Sequence, residues 1–238
     1  MNNDMKLYYD YTISPLGKLF YKSLFSQLGN IKNQKVLDFG SGFGFTTSYL
    51  AKKNEVTALE IDENMIEFSD TTNPYKQLHG DLEIIKAMED ESFDFITCHL
   101  VLEFVDNPQE ILDELMRVLK KDGQLSIVRH NKNGRIIQAI VQDYDLNDAN
   151  HLLNGGFSFS SAFGNIKYYS NEYLNTIISH KLQLQSIQGL RVLASSQNQM
   201  IQNQENWVDE MFSIESKLFN QSEFIPIAYF NHLIYTKK

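Results

Sequence analysis

Three acids and a histidine stand at or just past the ends of short apolar runs. Asp38 lies in Val36-Leu37-Asp38-Phe39, Glu60 follows Val56-Thr57-Ala58-Leu59, Asp81 follows the run from Tyr75 to Leu78, and His99 follows the run from Phe93 to Cys98. Between the first two lie Gly40, Gly42 and Gly44, at every second position. Glycines so spaced let the backbone turn sharply and let a ligand lie against bare main chain, where any Cβ would collide. A carboxylate beside them, Asp38, suits a cationic group and repels a pyrophosphate. Glu60 follows at ~20 residues, the separation at which nucleotide-binding α/β folds place the carboxylate that accepts both ribose hydroxyls. A carboxylate offers two oxygens to two vicinal donors, a match that no amide gives as well. His99 is either a proton carrier or a hydrogen-bonded structural histidine.

Such residues need strands and turns to hold them. Lys35 to Phe39 is short, bulky and bounded by a polar loop, which predicts a buried parallel strand. The run from Phe45 to Ala51 continues as a helix whose free N–H groups face whatever sits on the glycines. The dinucleotide pattern G-x-G-x-x-G fails in this register, because Phe45 stands where its third glycine belongs. Further strands are expected at 55–60, 75–78, 93–98 and 124–129. Asp62 reads as the cap of the helix after the second strand, and Asn107-Pro108-Gln109-Glu110 opens another. Strand and helix alternate, so the expected fold is α/β, a doubly wound parallel sheet.

The run Asp38-x-Gly40-x-Gly42-x-Gly44 resembles motif I of the class I S-adenosylmethionine-dependent methyltransferases. That resemblance implies a Rossmann-like sheet of seven strands, mostly parallel with an antiparallel C-terminal strand, and S-adenosyl-L-methionine as cofactor. It implies cofactor-binding roles for Asp38, Gly40, Gly42, Gly44, Glu60, Ile61, Asp81 and His99. Asp81 takes the place of an acid that holds the adenine amino group, although it also suits an ordinary helix cap before Leu82, Ile84 and Ile85. His99, at the end of the central strand, is the candidate catalytic residue. Methyl transfer from a sulfonium is an in-line displacement, so the enzyme mainly aligns and desolvates the nucleophile. A hydroxyl or amine acceptor would use His99 or His130 as base, whereas a carboxylate would need none.

A finer resemblance covers His99-Leu100-Val101-Leu102-Glu103, Asn131, Gly134, Gly189-Leu190-Arg191-Val192 and Tyr229-Phe230-Asn231-His232. It is to the bacterial methyltransferases that esterify carboxymethoxyuridine at a tRNA wobble position. It makes Asn131, Arg135 and Arg191 candidate substrate residues, with Arg129, Arg135 or Arg191 able to orient a carboxylate. That family has an arginine near Gly17 for the cofactor carboxylate; here Leu19-Phe20-Tyr21 offers none, and Lys18 is the substitute at hand. A tRNA acceptor would need a basic rim, for which Lys132, Arg135, Lys167, Lys181 and Arg191 are the candidates. The alternatives are a small-molecule acceptor, or binding of the cofactor without turnover.

Length and composition set the frame. The 238 residues suit one α/β methyltransferase domain, with a helical lid at about 5–30 and a substrate-covering insertion at about 142–169. Tyr8, Tyr9 and Tyr11 belong either to that lid or to the edge of a packed helix. No apolar run of 18 residues and no basic-then-apolar leader is present, so the expectation is a soluble cytoplasmic protein with no membrane partner. Cys98 is the only cysteine, which excludes an internal disulfide and any cysteine-cluster metal site. The net charge of −9 argues against broad attraction to nucleic acid. Toward the C-terminus the expectations are a helix capped at Ser170, a strand from Leu182 to Val192, a solvated connection at 197–204, a helix at 205–219 and a last strand at 224–236.

Overall fold

The computed structural model describes residues 2–238. Its main sheet has seven strands in the order β3-β2-β1-β4-β5-β9-β8. These are β1 (Lys35–Phe39), β2 (Glu55–Glu60), β3 (Lys76–His79), β4 (Phe93–His99), β5 (Leu119–His130), β8 (Leu182–Leu190) and β9 (Phe230–Lys237). A separate antiparallel hairpin pairs β6 (Ser158–Ser160) with β7 (Gly164–Ile166). Strands β1 to β5 pair in parallel, and β9 runs antiparallel beside β5. The sheet is therefore the expected seven-stranded Rossmann-like one.

The chain forms two compact units. One, the glycine-turn unit, comprises Leu28–Val128, Ser170–Ser186 and Leu233–Lys238. Its strands are buried on both faces, with Val36, Leu37, Ala58, Ile96, Cys98, Leu125 and Ile127 sealed from solvent. That explains why these strands read as continuous apolar runs rather than alternating ones. The helices between them are α3 (Phe45–Ala51), α4 (Glu63–Glu67), α5 (Leu82–Lys86) and α6 (Pro108–Val118). Helix α6 buries Ile111, Leu112, Leu115 and Met116 along one face, each worth about 1.5–3 kcal/mol relative to exposure. Strand β5 starts earlier than the expected 124 and takes in residues 120–123 as a bulge: Phe93 faces Leu119 while Phe95 already faces Gln124, and Asp122 takes φ 61°.

The other, N-terminal unit comprises the residues up to Gln27, Arg129–Tyr169 and Ile187–His232. The expected single helix before β1 is two, α1 (Asn3–Thr12) and α2 (Pro15–Leu28). Pro15 disfavours helix at Ser14 and starts α2. Gly17 lets the break close up, since a Cβ there would lie 2.1 Å from the Thr12 carbonyl oxygen. Helix α2 buries Leu16, Leu19, Phe20, Leu24 and Leu28, the stripe its spacing predicts. The 142–169 segment follows α7 (Lys132–Val141) and contains α8 (Leu146–Leu153) and the β6–β7 hairpin. Helix α9 (Asn171–Ile178), in the glycine-turn unit, is capped by Ser170 as expected.

The glutamine-rich connection is less solvated than its composition suggests. It holds α10 (Gln199–Gln202), and Gln202 is buried, donating to the carbonyls of Ala194 and Gln197. Helix α11 (Trp207–Leu218) packs Trp207 and Met211 on Leu16, Leu19 and Ala194. The last strand begins at Phe230 rather than 224, because Pro226 places Ile225–Ile227 in a 3-10 turn. Among the described residues no helix is long and apolar enough to cross a membrane.

Candidate functional site

At the carboxyl ends of β1, β2 and β4 the glycine turn is held open. Gly40, Gly42 and Gly44 take φ of 73°, 54° and 70°, the left-handed region open to glycine at little cost. They are not equivalent. A Cβ on Gly40 would meet Val101 Cγ2 at 2.3 Å, and one on Gly44 would meet the Tyr75 hydroxyl at 2.7 Å. A Cβ on Gly42 would have only Met65 Sδ nearby, at 3.8 Å. Gly40 and Gly44 are thus glycines for internal packing, whereas Gly42 borders open space.

Glu60 ties that turn to β2. Its Oε2 accepts from Gly42 N at 2.7 Å, and its Oε1 accepts from Ile61 N at 2.8 Å and Asp62 N at 3.0 Å. Three amide donors on one carboxylate fix the spacing of the two loop tips before any ligand arrives. Two ionised oxygens carry about four lone-pair sites, so acceptor capacity remains for vicinal hydroxyls. Ile61 follows and is 65% exposed, an apolar group beside the polar turn.

Asp38 is placed differently from Glu60. It is buried, and Thr47 Oγ1 donates to its Oδ2 at 2.5 Å while Thr97 Oγ1 donates to its Oδ1 at 2.6 Å. Burial pushes its pKa up, the two hydroxyl donors pull it back, and the charge of Glu60 adds to the rise. Asp38 therefore locks β1, β4 and the first turn of α3 together. Thr47 and Thr97 carry no motif, and only their placement on α3 and β4 reveals them.

His99 ends β4, with Nε2 2.8 Å from the hydroxyl of the buried Ser126 on β5. The next residue, Leu100, takes φ 57°, rare for a bulky side chain. Strain of this kind costs about 1–3 kcal/mol and gathers where the chain is bent for a purpose. Asp81 is exposed and caps α5, accepting from Glu83 N at 3.0 Å. Asp62 caps α4 in the same way. Cys98 is sealed in the sheet, where burial pushes its thiol well above the usual range, so it is no nucleophile.

The candidate substrate residues lie in the N-terminal unit and differ in what they have free. Asn131 is buried and donates to the carbonyls of Ala228 at 2.7 Å and Pro226 at 2.9 Å, which fixes the segment leading to Tyr229. Arg135 is paired with Asp143 at 2.6 Å and Asp148 at 2.5 Å. Arg129 donates to Asn231 Oδ1 and to the His130 carbonyl. Lys18 is exposed on α2.

Arg191 is of another kind. It is 1% exposed and takes φ 54°. Its guanidinium lies 4.7 Å from the Tyr229 ring, 5.1 Å from Phe230 and 5.7 Å from Tyr11. Nε donates to Ser195 Oγ at 2.9 Å and Nη1 donates to the Tyr11 hydroxyl. The turn that follows is pinned by Glu215 of α11, fully buried, which accepts from the amides of Val192, Leu193 and Ala194 at 2.7, 2.8 and 2.9 Å. Burial pushes the Tyr229 phenol up, so it stays neutral at physiological pH.

Residues 37–127 match a family described as a methyltransferase domain. The chain is 31% identical over 109 residues to a ubiquinone biosynthesis O-methyltransferase of Coxiella burnetii, over 43% of this chain and 46% of that protein. It is 29% identical over 154 residues to a thiol S-methyltransferase of Rattus norvegicus, over 57% of this chain and 63% of that one. The chain thus spans less than two thirds of the length of these curated relatives. A solved Thermotoga maritima structure, an S-adenosylmethionine-dependent methyltransferase described as a possible histamine N-methyltransferase, superposes with a TM-score of 0.62 at 19% identity, covering 98% of this chain and 95% of that one. A left-handed Gly42 against open space, the carboxylate of Glu60 stapling it to β2, and the 3-2-1-4-5 parallel order agree with that match, and residues 37–127 are similar in sequence to the methyltransferase-domain family, within a chain whose fold is that of S-adenosylmethionine-dependent methyltransferases.

Proposed function

We propose that this protein transfers a methyl group from S-adenosylmethionine to a small-molecule acceptor by in-line displacement. The observation that carries the reading is the open space at Gly42, bordered by the Glu60 carboxylate and the exposed Ile61. Bound there, the cofactor supplies an electrophilic methyl on a sulfonium. The glycine amides and bare main chain receive its chain, Glu60 accepts from the ribose hydroxyls, and Ile61 offers an apolar face to the base. Asp81, whose exposed carboxylate keeps acceptor capacity beside its cap bond, is assigned to the adenine amino group. Asp38, buried behind the turn, favours the cationic end whenever it is ionised. His99, oriented by Ser126, takes a proton from a hydroxyl, thiol or amine acceptor.

A small acceptor is favoured over a tRNA wobble uridine. Of the five cations that would form a phosphate rim, Arg191 is buried and Arg135 is neutralised by two aspartates. The two relatives are named for O-methylation in ubiquinone biosynthesis and for S-methylation of thiols. The test is transfer of radiolabelled methyl from S-adenosylmethionine onto a metabolite extract and onto total tRNA in parallel. Label in the extract alone is expected. Label in tRNA alone would overturn the acceptor class, and no label together with tight S-adenosylhomocysteine binding would make the chain a binder rather than an enzyme.

A further inference from the structure

Arg191 presents a cation with nothing to neutralise it at contact distance. Among the described residues no carboxylate forms an ion pair with its guanidinium, and Nη2, sealed from solvent, has no hydrogen-bond partner. The carboxylate of Glu215 does not serve it, since its oxygens are held by three backbone amides. The rings of Tyr229, Phe230 and Tyr11 attract the cation, yet ring faces cannot satisfy an in-plane N–H. A guanidinium carries five N–H donors in a planar fork, and here one edge of the fork is unused. Buried polar groups left unpaired are rare and call for a reason. The backbone of the same residue is also strained, at φ 54°. Two structural costs at one side chain are expected where that side chain serves a ligand.

We propose that the free edge of Arg191, beside the Tyr11 hydroxyl, is a carboxylate-binding subsite that reads an anionic handle on the acceptor. Arginine is suited to this because two parallel N–H bonds match the two oxygens of a carboxylate, and the pair neutralises in place. Tyr11 is 41% exposed and so gives the subsite a side that opens to solvent. Its hydroxyl accepts from Nη1, which leaves its own proton to donate to the second ligand oxygen. This inference rests on the methyltransferase reading for its acceptor, and a carboxylate has a second source, the amino-acid end of the cofactor itself.

Arginine Nε signals in a 15N–1H spectrum distinguish the two sources. The sequence holds only Arg117, Arg129, Arg135 and Arg191, so the Arg191 signal is assigned with Arg191→Lys, or by elimination with lysine at the other three if that variant does not fold. Sodium benzoate is titrated into protein saturated with S-adenosylhomocysteine, with benzamide as the neutral control. A saturable shift of the Arg191 signal with benzoate but not benzamide is expected, and Arg191→Lys should weaken benzoate about tenfold or more, since lysine keeps the charge but not the planar fork that makes two parallel bonds. A shift caused by S-adenosylhomocysteine but not by 5′-methylthioadenosine, which has no carboxylate, followed by no response to benzoate, would overturn the acceptor assignment and give the subsite to the cofactor. No shift with any carboxylate would overturn the subsite altogether. Binding of S-adenosylhomocysteine, measured alongside by calorimetry, separates that failure from a failure of the cofactor reading.

Discussion

The glycine turn and the Arg191 cage handle buried charge in opposite ways. Around the turn the charges are negative and their acceptor atoms are met by short local donors: two threonine hydroxyls for Asp38 and three loop amides for Glu60. Around Arg191 the charge is positive, its neighbours are three aromatic rings, and one N–H edge is left open. A carboxylate is satisfied by amides that any tight turn provides, so that region is complete before a ligand arrives. A guanidinium needs in-plane oxygens, which rings cannot supply, so the cage is completed by whatever brings them. One region is a preformed cradle, the other a half-made bond.

The sharpest way to break this contrast is at the cradle's open point. Gly42→Val puts a branched side chain at φ 54°, costing about 1–2 kcal/mol in conformation, and fills the space a ligand would take. Binding of S-adenosylhomocysteine should be abolished while the circular dichroism of the fold is kept. Unchanged affinity would remove Gly42 from the site. On the other side, Glu215→Ala would orphan the amides of Val192, Leu193 and Ala194 in the turn next to Arg191. A loss of about 3 kcal/mol or more in urea unfolding is expected, at about 1–3 kcal/mol for each buried donor left unpaired. A loss below about 1 kcal/mol would mean that the cage is not the strained region described.

The two regions also differ in how far they were legible in the sequence. Asp38, the glycines and Glu60 lie on one strand–turn–helix–strand run, so spacing alone reveals them. The caps Asp62, Asn107 and Ser170 were readable for the same reason, since a cap acts within three residues. The cage joins positions 11, 191, 195, 215 and 229–230, which no local pattern connects. Arg191 was therefore one arginine among three, and only its burial separates it from Arg135, which is tied to Asp143 and Asp148. The split at Pro15, the bulge at 120–123 and the late start of β9 each turn on a single proline or left-handed residue set against an otherwise continuous pattern.

A smaller effect is expected at Glu60→Gln. The change keeps shape but turns one acceptor into a donor, facing either Gly42 N or the amides of Ile61 and Asp62. About 1.5–3 kcal/mol should be lost in S-adenosylhomocysteine binding, the range for hydrogen bonds to a charged group. If unfolding stability falls and affinity does not, Glu60 is a staple only.

The N-terminal unit has a titrating group of its own. His232 is fully buried, with Nδ1 2.8 Å from Gln27 Oε1, and burial pushes its pKa down to about 3. The folded state keeps it neutral, while the unfolded chain takes up a proton near pH ~6.5. Its contribution to stability is therefore full above pH ~6.5 and is lost as pH falls toward ~3, at up to about 1.4 kcal/mol per pH unit. His232→Leu should flatten the acid limb of a stability–pH curve by up to that slope. An unaltered limb would show that His232 is protonated in both states.

Asp38 should do the reverse, and this is the finest test of the contrast. Its folded pKa is raised, chiefly by burial, with the threonine donors opposing and Glu60 adding. A raised carboxyl pKa means that the folded state holds its proton more tightly than the unfolded one. The stabilising contribution is thus present below the unfolded pKa of ~3.9 and is lost as pH rises through the folded value. Asp38→Asn removes that titration, so the variant should gain on the wild type in unfolding stability as pH rises from ~3.9 through the folded value. Ligand binding should move the other way. The ammonium end of S-adenosylhomocysteine is favoured by an ionised Asp38, so wild-type affinity should rise over the same window while that of Asp38→Asn stays flat. The opposed trends distinguish a carboxylate kept for its charge from one kept for its hydrogen bonds. If both proteins run parallel in stability and in affinity, Asp38 does not titrate in that window and serves only to tie Thr47 to Thr97.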